Sequence, residues 1–459
     1  MDKHLKNITP TVAITEEQKK LSVGSLTGSV VYASNGAALG SVNVYDYRGQ
    51  VVRAVRKGLG GFTEDVSTKY NITGAVENME AKVNVRYGDN FIARTSNTYK
   101  YGKRTSTSLS VSHGNTALTR TVWYGYDFAG RLYSTDRQMN DRYKSYCSYR
   151  YDVHGWLKSI SSGDFTEQLY YADGLDGSFF NGNISTIKWK AANDNSYQGY
   201  NLEYDRNNRL HRATFGSGDN LTNNKGHFDE YVEYDGNGNI TKLQRGGLVN
   251  KEYLRYGLVD NLTMTYEGNR LTSVRDDASR HTYAGATDFD GVKGREYPLT
   301  YNESGALVSD AGRKIAKIDY DASGNPIRIQ FTNGNVTSYV YSATGEKLRV
   351  VYQTAVPNLS VAIGTSRDLA PYETISTYQT DYLLGGSLTL LNNGRIDKYY
   401  FEEGYCQAKT NSANSTKDDF TFCYFNQDHL GNVRQVIEAD GTAKGKIIQK
   451  MDYYPFGAE

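Results

Sequence analysis

The sequence predicts an all-β protein built from antiparallel hairpins in one continuous sheet, and three observations carry that expectation. One turn motif returns along most of the chain, the segments around it alternate as strands do, and no stretch of ten or more residues keeps a helical period.

The motif is Tyr-Asp-x-x-Gly-x-apolar. Its clearest copies are YDFAGRL (Tyr126, Asp127 and Gly130 to Leu132), YDVHGWL (Tyr151, Asp152 and Gly155 to Leu157) and YDASGNPI (Tyr320, Asp321 and Gly324 to Ile327). Variants run from Tyr45 to Val51, Tyr204 to Leu210, Tyr234 to Ile240, Tyr301 to Leu307 and Tyr341 to Leu348, with a shortened relative from Tyr266 to Leu271. Each copy has the chemistry of a tight turn. The Asp carboxylate accepts from backbone N–H groups two residues on, and Gly supplies the positive φ that closes a hairpin. Asn208 replaces Gly in the copy starting at Tyr204, which suits a left-handed position.

The flanks read as strands. In VTSYVYS, Thr337, Tyr339 and Tyr341 share one face while Val336, Ser338 and Val340 share the other; Leu348, Val350 and Tyr352 resume an alternating face past the turn. The starting tyrosines lie 25 residues apart at 126 and 151, 30 apart at 204 and 234, and 21 apart at 320 and 341. So elastic a period argues against identical solenoid coils and for strands of varied length joined by one kind of turn.

Composition fits a sheet with wet faces. The chain has 40 Tyr and 46 Gly among 459 residues, and tyrosine buries its ring while its hydroxyl still needs a hydrogen-bond partner. Counted without Tyr and with Gly, apolar residues make up roughly 39%, against about 45–50% in ordinary globular chains. That supply suits a sheet wrapped around a hollow, and equally a solenoid with a narrow core. Lys plus Arg is 52 and Asp plus Glu is 51, so no net field draws nucleic acid or an anionic membrane. No apolar stretch is long enough to span a bilayer as a helix, and the first residues lack the basic-then-apolar order of a signal peptide. Cys147, Cys406 and Cys423 form no closed disulfide framework; a 406–423 bridge across a hairpin and free thiols are the two alternatives.

Three regions follow. Residues 1–40 are polar, lack the motif and read as a truncated or frayed opening segment; residues 41–352 are the repeat body; residues 353–459 close the chain, and of these 353–420 keep only scattered strand signals such as DYLLGGSLTLLNNG.

Residues 45–352 resemble the YD repeats of bacterial Rhs proteins, Tc-toxin shell subunits and animal teneurins. The end of the chain strengthens the resemblance. QDHLGNVRQVIEADG (Gln427 to Gly441), with Asp428, His429, Leu430, Gly431 and Arg434, precedes DYYPFG, with Tyr453, Tyr454, Pro455, Phe456 and Gly457. Together they are similar to the Rhs repeat-associated core motif. YDVHGWLKSI, SFFNGNISTIKW and YVYSATGEKLRVVY also look like Bacteroidetes-type members. The resemblance implies a sheet spiralling into a cage that holds a variable C-terminal toxin inert, in a secreted or cell-surface protein of interbacterial competition. Its implied partners are that cargo, an immunity protein and secretion machinery. In the family a plug and a self-cleavage segment using aspartates follow the Pro-Phe-Gly segment, whereas this chain stops at Glu459. The expectation is therefore a partial cage, without cargo or self-cleavage. A glycan-binding surface adhesin is the alternative, and an enzyme a distant third.

No catalytic, cofactor or metal residue is predicted. Asp428 beside His429 invites acid/base or metal chemistry, yet no third partner is identifiable, so Asp at a turn, His packed or bonded locally and Arg434 on a neighbouring carboxylate is the reading. His4, His113, His154, His211, His227 and His281 lack ligand spacing. Asp235 to Asn239 imitates the start of a calcium loop, but Ile240 stands where that loop needs Gly and Gly246 where it needs Glu. The basic-aromatic run from Arg142 to Asp152 needs no ligand if Tyr lines one strand face and Arg and Lys the other.

Overall fold

The computed structural model describes residues 10–458, apart from 11, 14, 22, 86–89, 114–116, 140–142, 280–287, 290–291, 393, 411–417, 440, 443 and 456. They form an all-β protein. Thirty-two strands, from Gly28–Tyr32 to Lys446–Lys450, make one antiparallel sheet in which each strand pairs with the next along the chain. Among the described residues no ladder joins the last strand to the first, so the sheet is open. The one α-helix among them is the six-residue Glu16–Leu21.

The motif turns are built as their residues dictate. Asp127 N–H donates to the Arg131 carbonyl at 2.9 Å and Gly130 N–H to the Asp127 carbonyl at 2.9 Å. The Asp127 carboxylate accepts from Arg131 N–H at 2.9 Å. Asp152 accepts from His154 and Trp156 N–H groups at 2.8 and 2.9 Å, and Asp321 from Ser323 and Asn325 at 2.9 Å each. The Arg131 N–H is the main reason the Asp127 carboxyl is held below its ordinary value; for Asp321 it is the Asn325 amide. Gly130, Gly155 and Gly324 have φ of 78°, 86° and 82°, and Asn208 has 61°. The extra turn residue shifts the ladder, so that Tyr126 faces Leu132, Tyr151 faces Leu157 and Tyr320 faces Pro326.

Gly324 isolates the backbone contribution, because a Cβ there would meet nothing within 4 Å. Gly324→Val is expected to cost about 1–2 kcal/mol, the strain of a left-handed β-branched residue. The test is the urea midpoint of the variant, and an unchanged midpoint would contradict it.

Successive turns are joined to one another. Four motif tyrosines donate the hydroxyl to the carbonyl of the apolar residue closing the preceding copy: Tyr151 to Leu132 at 2.9 Å, Tyr234 to Leu210 at 2.7 Å, Tyr301 to Leu271 at 2.6 Å and Tyr320 to Leu307 at 2.7 Å; Tyr126 makes the same bond to Arg104 O at 3.0 Å, while Tyr266 meets the Met264 sulfur instead. Among those four the sequence separations are 19, 24, 30 and 13 residues, so the same joint forms whatever length of strand and far turn intervenes. That explains the elastic period. Where Arg follows the motif Gly or Asn, it adds a second tie. Arg131 and Arg209 bond their own Asp at 2.7 Å and lie over the next motif tyrosine, 4.7 Å from the Tyr151 ring and 4.4 Å from the Tyr234 ring.

The structure also adds copies that the Asp requirement hid. Tyr32–Ala38 makes the same turn, with Ala33 N–H to Ala37 O and Gly36 N–H to Ala33 O at 2.8 Å each. Residues 1–40 therefore do contain the turn, contrary to expectation, because its backbone bonds and positive φ do not need the carboxylate. Tyr70–Val76 is another copy, with Asn71 accepting from Thr73 and Ala75 N–H groups at 2.9 Å each.

The sheet curls back on itself. Ser34, at the tip of the first hairpin, donates its N–H to the Tyr341 carbonyl at 2.8 Å, and its Oγ accepts from Tyr341 N–H at 3.0 Å. Beyond this seam the late strands pack on the face of the early ones. Phe91, Leu109 and Val111 share a core with Leu388, Leu390, Phe422, Tyr424 and Ile437. A second core gathers Phe165, Leu169, Trp189, Tyr200 and Phe215. Tyr405 pairs with Cys423 and Cys406 with Phe422, which puts the two thiols on opposite faces; they and Cys147 are buried free thiols.

Candidate functional site

The core-motif residues form two further turns of the same kind. Asp428 N–H donates to Asn432 O and Gly431 N–H to Asp428 O, both at 3.0 Å. The Asp428 carboxylate accepts from Leu430 and Asn432 N–H groups at 3.0 and 2.9 Å, and Gly431 has φ 87°. In the second turn Tyr454 N–H donates to Ala458 O at 2.7 Å and Gly457 N–H to Tyr454 O at 2.8 Å, with Gly457 at φ 82°. Pro455 takes the turn position where its fixed φ is favoured. Tyr453 is the motif tyrosine of this turn, and its hydroxyl reaches Val433 O, at the close of the preceding turn, at 2.9 Å. Phe456, with His4, His281 and Arg142, lies outside the described residues.

These turns are clamped onto distant strands. His429 bonds the fully buried Glu167 twice, N–H to Oε2 at 2.8 Å and Nδ1 to Oε1 at 3.0 Å. Its partner is 262 residues away, not local as expected, because curling brings strand Phe165–Tyr170 beneath it. Arg434 donates Nε–H to Asp428 at 2.9 Å, and its guanidinium lies 4.6 Å from the Trp189 ring and 5.2 Å from the Tyr453 ring. Trp189 Nε1–H donates to Asp452 at 2.8 Å, and Gln435 donates to Asp164 O at 3.1 Å. Tyr454 reaches the Gly246 carbonyl and packs near Phe228 and Arg245. Leu430 points into solvent.

His429, Arg434, Tyr453 and Tyr454 thus fasten the end of the chain across strands Phe165–Tyr170, Thr186–Ala191 and Ile240–Asn250. Tyr126, Asp127, Gly130, Tyr151, Asp152, Gly155, Tyr320, Asp321 and Gly324 do not join this site; they stay in their own hairpins along the sheet edge.

Sequence reasoning missed the receiving residues. A signal existed at Glu167, a carboxylate at an inward position between Phe165 and Leu169. Glu403 is a second case: it accepts from Tyr124 at 2.5 Å and pairs with buried Arg120 at 2.9 Å, which lies 3.9 Å from the Phe401 ring. Asp260, Asp276 and Asp288 bring carboxylate oxygens within 4.8 Å of one another. Lys293 already serves two of the three, bonding Asp276, Asp288 at 2.6 Å and Val259 O at 3.1 Å, while Arg245 holds Asp260 at 2.6 Å. Near them Glu230 is buried with its Oε1 unpartnered. Burial is the main cause that pushes its carboxyl up to about 7; Arg245 opposes this and Asp260 adds to it. Asp235 to Asn239 is a motif turn, its carboxylate accepting from Asn237 and Asn239 at 2.9 Å each.

No protein-family profile matches the chain. A stretch of 159 residues is 29% identical to the tRNA3(Ser)-specific nuclease WapA of Bacillus spizizenii, covering 33% of this chain and 7% of that protein. Crystal structures of TcdB2-TccC3-Cdc42 and TcdB2-TccC3 align over 91% of this chain and 24% of theirs, at 12% and 13% identity and TM-scores of 0.46 and 0.45. The chain spans less than a tenth of the first relative's length and about a quarter of each solved chain.

Proposed function

We propose that this chain is wall material of an Rhs-type toxin, a non-enzymatic sheet that surrounds a C-terminal toxin until delivery. One observation carries the reading: a single ribbon of hairpins, repeatedly joined along one side by the same tyrosine bond, is fastened at its end to its own face by the core motif. Such a ribbon can lengthen without a larger central core, which is what a wall requires. The partial identity to a tRNA3(Ser)-specific nuclease supports it. The toxin, an immunity protein, export to the cell surface, a role between competing bacteria and a Bacteroidetes-type source belong to the same proposal.

The test places an unstructured polypeptide after Glu459 and compares its trypsin half-life with that of the free polypeptide. Protection of tenfold or more is expected, and equal cleavage would overturn the reading. A second reading, glycan binding, rests on exposed Trp123, Tyr133 and Tyr146 on three neighbouring strands, with Asp136 between Trp123 and Tyr146. Binding on a glycan array that Trp123→Ala abolishes would favour it.

A further inference from the structure

Strand direction alternates, so every second turn of the ribbon lies on the same rim. Along one rim the third residue of five successive motif turns is apolar: Tyr47, Ile72, Tyr101, Phe128 and Val153. Phe180, in the next loop on that rim, extends the row, since its neighbours Asn181 and Gly182 contact the adjoining turns at Asn208 and Trp156. All six are bare, with exposures of 79, 92, 93, 113, 97 and 82%. The backbone does not ask for apolar residues there, because Arg206, Gly236 and Gly268 hold the same position in later turns of the rim.

The row is too large to be incidental. At about 150 Å² per bare side chain it presents on the order of 900 Å², above the roughly 300–600 Å² of a typical largest surface patch. Two such rows would bury about 1,800 Å², within the roughly 1,200–2,000 Å² of stable interfaces. The charges on this rim are largely engaged within it: Arg48 lies 5.4 Å from the Tyr47 ring and Lys100 5.2 Å from the Tyr101 ring. Asp46, Asp127 and Asp152 are engaged by N–H groups of their own turns, and Arg48 donates to the Asn71 and Ile72 carbonyls.

Shape chooses the partner. Tips two strands apart recur about every 9.5 Å along a curved rim. A rim that follows a spiral is congruent with itself after a half-turn about an axis perpendicular to the spiral, so a second copy matches both curvature and spacing. We propose that this rim joins two copies of the chain in a two-fold dimer, with Tyr101 of each copy beside Phe128 of the other. The dimer goes beyond the shell reading and stands whether or not the chain encloses a toxin.

The experiment is sedimentation velocity of the whole chain from about 1 to 100 μM, the weak end of the affinities that interfaces of this area span. A reversible dimer is expected. The triple variant Tyr101→Ser, Phe128→Ser and Val153→Ser should weaken it at least tenfold without moving the melting temperature, since the tips touch little else. Mixing the Tyr101→Cys and Phe128→Cys variants should give a disulfide-linked dimer, with the three buried native thiols silent. A monomer at every concentration overturns the proposal, as does a dimer indifferent to the triple variant. So does a monomer that binds phosphatidylcholine vesicles through these tips.

Discussion

Arg434→Ala is expected to cost about 3–5 kcal/mol, because it leaves the buried Asp428 carboxylate without its cation, held only by the neutral N–H groups of its own turn. The same change empties the space between the Trp189 and Tyr453 rings and releases the last two turns from strand Thr186–Ala191. Arg434→Met keeps volume but not charge and should lose nearly as much. Pairing it with Asp428→Asn should recover part of the loss, since the neutral amide is cheaper to bury. Tryptophan fluorescence during urea unfolding reads all three, and a loss under about 1 kcal/mol for Arg434→Ala would contradict the assignment.

Stability should fall as pH rises through the range set by Glu230. Its ordinary value is 4.5 and in the folded chain it is raised to about 7. Between these limits the folded protein holds a proton that the unfolded chain has released. The stabilisation is complete below 4.5, declines as pH rises and is gone above about 7, a change of about 3 kcal/mol. The groups facing this carboxyl are Arg245 from the adjacent strand, Asp260 from the strand beyond it, Tyr234 on its own strand, Tyr200, and Tyr454 from the final turn. Glu230→Gln should therefore raise the melting temperature at about pH 8 and leave it nearly unchanged at about pH 4. Parallel shifts at both pH values would show that the carboxyl does not titrate as proposed.

What sequence reading found was local. Asp127, Asp152, Asp321 and their glycines act within five residues, so turn chemistry alone placed them. What it missed needs three dimensions. No pattern links His429 to Glu167, or Arg434 to Trp189, because curling of the sheet sets those pairs. The turns at Tyr32, Tyr70 and Tyr453 were hidden by insistence on Asp, although Tyr and Gly keep the same spacing there. The register shift before each motif tyrosine also decides which faces later residues take. The 406–423 bridge stayed open in sequence because alternation alone does not give the cross-strand register, and the pairing of Tyr405 with Cys423 closes it off.

The tyrosine joint has a consequence for how such chains diversify. Because it spans 13 residues at one site and 30 at another, it places no limit on what is spliced into the opposite turns. A guest peptide grafted at the exposed Gly163, in the far turn between strands Leu157–Ser162 and Phe165–Tyr170, leaves the hydroxyl-to-carbonyl ties on the motif side in place. Genes of this kind can therefore acquire new surface modules on one border without re-evolving the scaffold that displays them.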